Sequence, residues 1–201
     1  MKILPKRYNK NEQLIVNKKF LESAKSADFI FDIGANVGTI TKQLLKQNGF
    51  VYAFEPDPEA FQYLKQIKSS NLVIQNVAVW TSDGEATLYR HWDWKKSKSH
   101  TSSTLISSKR NVDDVNTTEV VTFDISGLVK SLNGDIIMKI DVEGAEYNLL
   151  KYWSNTKLIN CFSKIYCEFH AKKIRWGLIK HINLYILLRL RSQAHLVCEW
   201  Y

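Results

Sequence analysis

A chain of 201 residues with 45% hydrophobic content suits one globular domain with a full core. Lys2, Lys6 and Arg7 are not followed by an uninterrupted apolar stretch, so no secretory leader is expected, and Leu184 to Leu188 is far too short a run to span a bilayer. The net charge of +8 is uneven: residues 1–25 carry +5, residues 90–110 carry +5 and residues 171–191 carry +6, which leaves −8 elsewhere. Both a uniformly solubilising surface and a polyanionic or phosphorylated partner fit that pattern. Three cysteines, Cys161, Cys167 and Cys198, are an odd number in apolar surroundings. They read as buried free thiols in a reducing compartment, the cytoplasm, rather than as a disulfide framework. A zinc site on Cys167 and His170 lacks a second ligand pair.

Residues 1–26 form a basic extension, read as helical. "ADFIFDIG" (27–34) is an apolar run ending at Gly34, the mark of a buried parallel strand. "VGTITKQLLKQNG" (37–49) is an amphipathic helix stopped by Gly49. "FVYAFEPD" (50–57) is a second strand, "PEAFQYLKQIK" (58–68) a helix with Pro58 in its first turn, and "NLVIQNVAVW" (71–80) a third strand. This βαβαβ order is the first half of a doubly wound sheet. After the turn signal Asp83-Gly84, "GEATLYRHW" (84–92) alternates apolar and polar residues, and "TEVVTFDI" (118–125) can pair with it. Between them lie six serines within residues 97–108 and several lysines, so residues 93–117 read as a mobile loop. Regular order resumes with strand "DIIMKIDV" (135–142), helix "GAEYNLLKYW" (144–153) and strand "KIYCEFH" (164–170). The basic helix "WGLIKHINLYILLRLR" (176–191) and a last strand, "AHLVCEWY" (194–201), close the chain. Residues 27–201 thus form one domain.

The glycine turn "FDIGANVG" discriminates among nucleotide ligands. Gly38-Thr39-Ile40 lacks the lysine of a phosphate-binding Walker loop, and Gly34-Ala-Asn-Val-Gly38 lacks the first close glycine pair of a dinucleotide fingerprint. What remains is a tight turn at a strand's C-terminal edge, where a helix N-terminus meets a ligand. Glu55 ends the second strand 17 residues beyond Gly38, where a carboxylate can accept from both ribose hydroxyls. Asp32 suits a cationic ligand or fixes the loop by accepting backbone N–H groups. A ribose, an adenine and a positive centre without a pyrophosphate describe S-adenosylmethionine.

"FDIGANVG", "YAFEPDPEAF", "NVAVW", "DGEATLY", "MKIDVEGAEYNLL" and "EFH" follow one another in this order, and together they resemble the FkbM-type family of S-adenosylmethionine-dependent methyltransferases. The resemblance runs from about Asp28 to His170. It implies an α/β, Rossmann-like class I methyltransferase fold: a doubly wound, mostly parallel sheet with an inserted hairpin and a basic N-terminal helical segment. It also implies O-methylation of a hydroxyl on a sugar or secondary metabolite. Carried onto this chain, the family pattern places Asp32, Gly34, Asn36 and Gly38 around the methionine end of the cofactor. Glu55 falls on the ribose, Pro56 and Asp57 on the adenine side, Asn76 and Ala78 near the adenine, and Asp141 beside the methyl group. Glu143 and Glu146, in the first turn of a helix, also favour its dipole, and Lys139 reads as a structural partner for a nearby carboxylate. The terminal antiparallel hairpin common in such methyltransferases is incomplete here, which leaves an edge for a homodimer partner.

The acceptor is read from "RHWDWKKSKSH" (90–100), where Trp92 and Trp94 alternate with Lys95 and Lys96. Indoles stack on sugars or bases and lysines reach phosphates, so a glycan or nucleotide sugar fits. An RNA ribose 2′-hydroxyl is the second acceptor, and a non-catalytic polyanion-binding module is the rival from another class. For the chemistry, Asp141 orients the acceptor hydroxyl, His170 is the candidate base, and Glu168, on the same side of its strand, orients the imidazole. A divalent metal on Asp141, Glu143 and His170 is open to the sequence, but the spacing does not demand one and none is assigned.

Overall fold

The computed structural model describes residues 1–4, 10–93 and 102–200, with backbone alone at 10–16 and 113. Six strands, all parallel, form the main sheet: β1 (Phe29–Ile33), β2 (Phe50–Phe54), β3 (Leu72–Gln75), β7 (Ile136–Ile140), β8 (Lys164–Cys167) and β9 (Val197–Glu199). Their spatial order is β3-β2-β1-β7-β8-β9. The order reverses between β1 and β7, the switch point outside which doubly wound sheets bind ligands.

Alternation along the strands explains the layers. Ile30, Val51 and Ile137 point to one face, where they pack with Phe20 and Ala24 of α1 (Lys10–Ala24) and Leu44 of α2 (Thr39–Leu44). On the same face, Ala53 meets Leu64 of α3 (Pro58–Leu64). Phe31, Ile33, Met138 and Ile140 point to the opposite face. There they bury Val129 of α4 (Ser126–Ser131), Leu149, Leu150 and Trp153 of α5 (Glu146–Asn155), and Leu184 and Leu188 of α6 (Gly177–Leu190). Helices on both faces make the sheet doubly wound, as the sequence pattern implied.

The inserted hairpin is β5 (Gly84–His91) against β6 (Val112–Phe123), antiparallel, with β4 (Ala78–Val79) on the other side of β6. Two expectations are corrected here. The third strand does not run unbroken from 71 to 80: it ends at Gln75, and Ala78 and Val79 join the small sheet instead. Between them Asn76 Nδ2 donates to the carbonyls of Glu55 and Pro56 at 2.8 and 3.1 Å, turning the chain off the main sheet. The expected loop 93–117 is also too long, because β6 begins at Val112 and residues 112–117 are strand.

α4 and a short 3-10 helix (Leu158–Cys161) were not anticipated. At the far edge, the Met1 amino group donates to Val197 O at 2.6 Å and the Lys2 N–H to Glu199 Oε1 at 3.1 Å, so the first two residues lie along β9. Of the thiols only Cys167 is buried. Cys198 is half-buried and Cys161 exposed, against the expectation that all three are buried.

Candidate active site

The C-terminal ends of β1, β2 and β7 open into a cavity of about 320 Å³, within the roughly 300–1,000 Å³ usual for small-molecule sites. The turn after β1 forms one wall. Gly34 has φ 76°, and a Cβ there would fall 1.9 Å from the Asp141 carbonyl oxygen, so only glycine lets this turn lie against the end of β7. Asn36 also has positive φ, 51°, and its Oδ1 accepts from the Val37 N–H at 2.7 Å.

Glu55 continues that wall from the end of β2. Its Oε2 accepts the Asn36 N–H and its Oε1 the Asp57 N–H, each at 2.8 Å. Burial pushes the carboxyl up to about 7, against the pull of those two N–H groups. Pro56, Val77, Ala78, Leu88 and Leu105 add an apolar side.

Asp57 and Asn76 stand outside this lining. Asp57 caps α3 by accepting the Glu59 N–H at 3.0 Å, and its two oxygens take a bidentate pair from Arg90 at 2.9 and 3.1 Å. Gly38 is likewise displaced from its expected place: its Cβ position faces Ile67 and Leu64 of the α3 region, not the cavity. Asp32 is fully buried, accepts from Thr41 Oγ1 at 2.7 Å and pairs with Lys139 at 3.1 Å. It stands behind the wall, outside the cavity lining.

Asp141 follows β7 and lines the cavity with 29% of its side chain exposed. Burial pushes its carboxyl up to about 6, with Lys139 opposing and Glu168 reinforcing. Behind it sits His170, 3% exposed and outside the cavity lining. Burial opposes an imidazolium, yet Glu146, Glu168 and Glu143 outweigh it and hold the ring at about 10. His170 lies outside the cavity lining, set back from where the general base expected of it would meet an acceptor. Glu168 does approach the imidazole, with Oε1 3.5 Å from Nε2.

Glu143 is held by cations: Lys109 at 2.9 Å, Lys173 at 3.0 Å and His170 Nε2 at 3.3 Å. Burial resists its ionisation, but His170, Lys109 and Lys173 bring it down to about 2. Among the described residues, the carboxylates and imidazole that could hold a metal ion are Asp141, Glu168 and His170. Glu168 therefore stands where Glu143 was considered.

The roof comes from a segment read as loop. Ser102, Ser103, Thr104 and Leu105 line the cavity, Thr104 exchanges backbone hydrogen bonds with Tyr89 at 2.8 and 2.9 Å, and Lys109 Nζ donates to Ser102 O at 2.5 Å. Sequence reasoning missed Lys109, which is 3% exposed, because a lysine in a serine-rich stretch carries no local sign of burial. Trp200 was missed too. It lines the cavity with its ring centroid 5.1 Å from Lys139 Nζ. Of the expected acceptor residues, Trp92 is 61% exposed and outside the lining, while Trp94, Lys95 and Lys96 lie outside the described residues.

A doubly wound α/β sheet with a cavity at its switch point, edged by Glu55 and Asp141, defines a Rossmann-like protein of the methyltransferase type. The chain belongs to the FkbM methyltransferase family, whose domain, described as "Methyltransferase FkbM domain", matches residues 32–194. It is also 26% identical over 176 residues to the hexuronic acid methyltransferase AglP of Haloferax volcanii. The match covers 81% of this chain and 64% of that relative. No helix among the described residues is long and apolar enough to cross a membrane.

Proposed function

We propose that this protein is an S-adenosylmethionine-dependent O-methyltransferase acting on a hydroxyl of a sugar or glycan acceptor. The observation that carries the reading is Glu55, a buried carboxylate whose two oxygens are each fixed by one backbone N–H at the cavity wall. Its remaining lone pairs suit the two hydroxyls of a ribose. The apolar side formed by Val77, Ala78, Leu88 and Leu105 suits a flat purine, and the open carboxylate of Asp141 suits a positive centre. The cavity's volume and donor set therefore fit S-adenosylmethionine, which when bound supplies a methyl group on a positively charged sulfur.

The chain's own work is alignment and proton handling. Methyl transfer needs the acceptor oxygen in line with the sulfur–methyl bond, and positioning of that kind supplies much of an enzyme's acceleration. Asp141 would accept a hydrogen bond from the acceptor hydroxyl and take its proton as that oxygen is methylated. His170 positions that carboxylate from behind, and Glu168 orients the imidazole. The roof at 102–105 excludes water from the reacting atoms.

The name of the Haloferax relative favours a sugar acid as acceptor. Apart from Arg90, Lys109 and Lys173, which Asp57 and Glu143 already hold, the cations of 90–110 and 171–191 suit an acceptor bearing carboxylate or phosphate. Cysteines 161, 167 and 198, all free thiols, suit the reducing cytoplasm. The test is transfer of label from S-adenosylmethionine into separate pools of uronic-acid glycans, neutral glycans, nucleotide sugars and RNA. Label in a glycan or nucleotide-sugar pool supports the proposal, and label confined to RNA replaces the acceptor. Calorimetry that shows NADH binding without S-adenosylmethionine binding overturns the cofactor.

A further inference from the structure

Behind the cavity, three carboxylates converge on one edge of His170. Glu143 Oε2 lies 3.3 Å, Glu168 Oε1 3.5 Å and Asp141 Oδ1 3.8 Å from Nε2. Neither ring nitrogen makes a hydrogen bond, although the side chain is only 2% exposed. A buried imidazole that meets this carboxylate cluster by charge alone, with no hydrogen bond at either nitrogen, leaves its polar atoms incompletely satisfied.

The surroundings separate the possible ligands from their supports. Glu143 is taken up by Lys109 and Lys173. Glu146 is fully buried: its Oε1 accepts the His170 backbone N–H at 2.7 Å and stands 3.5 Å from Nδ1, while its Oε2 accepts the Gly144 N–H at 2.7 Å. That carboxylate lies against the Nδ1 edge of the ring, which leaves Nε2 facing Asp141, Glu143 and Glu168. Asp141 and Glu168 keep 29% and 28% of their side chains open. One oxygen from each, with the histidine nitrogen, lie within 4.8 Å of one another; cis ligands on bonds of about 2.1 Å stand about 3 Å apart, so the two open carboxylates would draw inward as a cation binds.

We propose that Asp141, Glu168 and His170 form a binding site for a divalent cation, of the Mg²⁺ or Mn²⁺ class, beside the methyl-transfer cavity, the cation taking the place of the proton on His170 Nε2. Two carboxylates and a single imidazole, with no thiolate, are the donors that such cations accept. Three protein ligands leave positions on the cation for water or for adjacent oxygens of the acceptor. Since Asp141 also lines the cavity, the acceptor class is one with two neighbouring oxygens, such as a vicinal diol or an α-hydroxy acid. The assignment of the acceptor rests on the proposed methyl transfer, whereas the cation site itself does not.

The experiment is titration of Mn²⁺ into the full chain without cofactor or acceptor, followed by electron paramagnetic resonance with pulsed detection of nitrogen coupling. One saturable submillimolar site, displaced by Mg²⁺ and showing imidazole nitrogen coupling, is the expected result. Glu168→Gln should weaken it at least about tenfold, and His170→Ala should abolish the nitrogen signal. Glu168→Gln changes a partly open side chain, so it remains informative where His170→Ala does not fold. Absence of a saturable site, or Mn²⁺ affinity unchanged by Glu168→Gln, overturns the proposal. S-adenosylmethionine binding, measured separately by calorimetry, shows whether the methyl-transfer reading stands independently of the cation.

Discussion

Asp32 and Lys139 occupy paired register positions on the two central strands, β1 and β7, and their side chains form an ion pair of 3.1 Å in the buried layer. Lys139 also donates to the Gly34 carbonyl at 2.8 Å and reaches to within 3.9 Å of Asp141. Burial works against the ammonium, but Asp32 and Asp141 outweigh it and raise its pKa. One lysine therefore ties the glycine turn, the central strands and the cavity acid together. Lys139→Met should strand Asp32 as a lone buried charge and destabilise the fold by about 3–5 kcal/mol. Adding Asp32→Asn should recover part of that loss in a denaturant double-mutant cycle. Additive losses would mean that the pair is not coupled.

Gly34→Ala should be far more damaging than a surface glycine replacement. The new methyl would lie 1.9 Å from the Asp141 carbonyl oxygen, and φ of 76° is strained for any L side chain. The expected outcome is loss of cofactor binding together with a lowered melting temperature. Gly127→Ala, in α4 with nothing within 4 Å of its Cβ position, is the control and should leave both unchanged.

Glu55 sets a pH window. Burial lifts its folded value to about 7 from 4.5, so its ionisation costs the free protein stability that is fully present below 4.5 and lost as pH rises through 7. A ribose donating to the ionised carboxylate reverses that penalty, so the cofactor binds the ionised form and releases a proton. Affinity for S-adenosylhomocysteine should increase about tenfold between pH 6 and pH 8. Glu55→Gln should bind more weakly and lose this slope. Identical slopes in the two proteins would remove Glu55 from the ribose site.

Asp141→Asn keeps the shape of the cavity wall and removes the proton acceptor. Turnover should fall on the order of 10²–10⁴-fold, with affinity for S-adenosylhomocysteine, which carries no positive sulfur, within a few-fold of the parent. Single-turnover kinetics alongside calorimetry separates the two effects. Unchanged turnover would move the proton to another group.

Part of the cavity lining was legible locally. Gly34, Asn36, Glu55, Pro56, Ala78 and Asp141 line one cavity, each readable from a strand end or a turn. The misplacements share a cause. Asp32, Gly38, Asp57 and Asn76 belong to the same motifs but point away from the cavity, toward Lys139, α3, Arg90 and two backbone carbonyls. A motif specifies residue types along the chain, while side-chain direction depends on neighbouring strands.

The alternation of apolar runs with amphipathic stretches determined the doubly wound sheet by itself, because strand and helix periodicities are properties of short segments. Glycine at 34 and the acid at 55 likewise marked one wall of the cavity without any fold in hand. Tertiary structure alone decided which titratable groups meet. His170 reads in sequence as a histidine free to titrate near neutrality, yet it is enclosed by Asp141 and Glu143 beyond β7, Glu146 of α5 and Glu168 two residues before it. Lys109 reaches Glu143 from 34 residues away in the chain. Electrostatic environment depends on distances in space across segments remote in sequence, and those distances set protonation and ligand capacity.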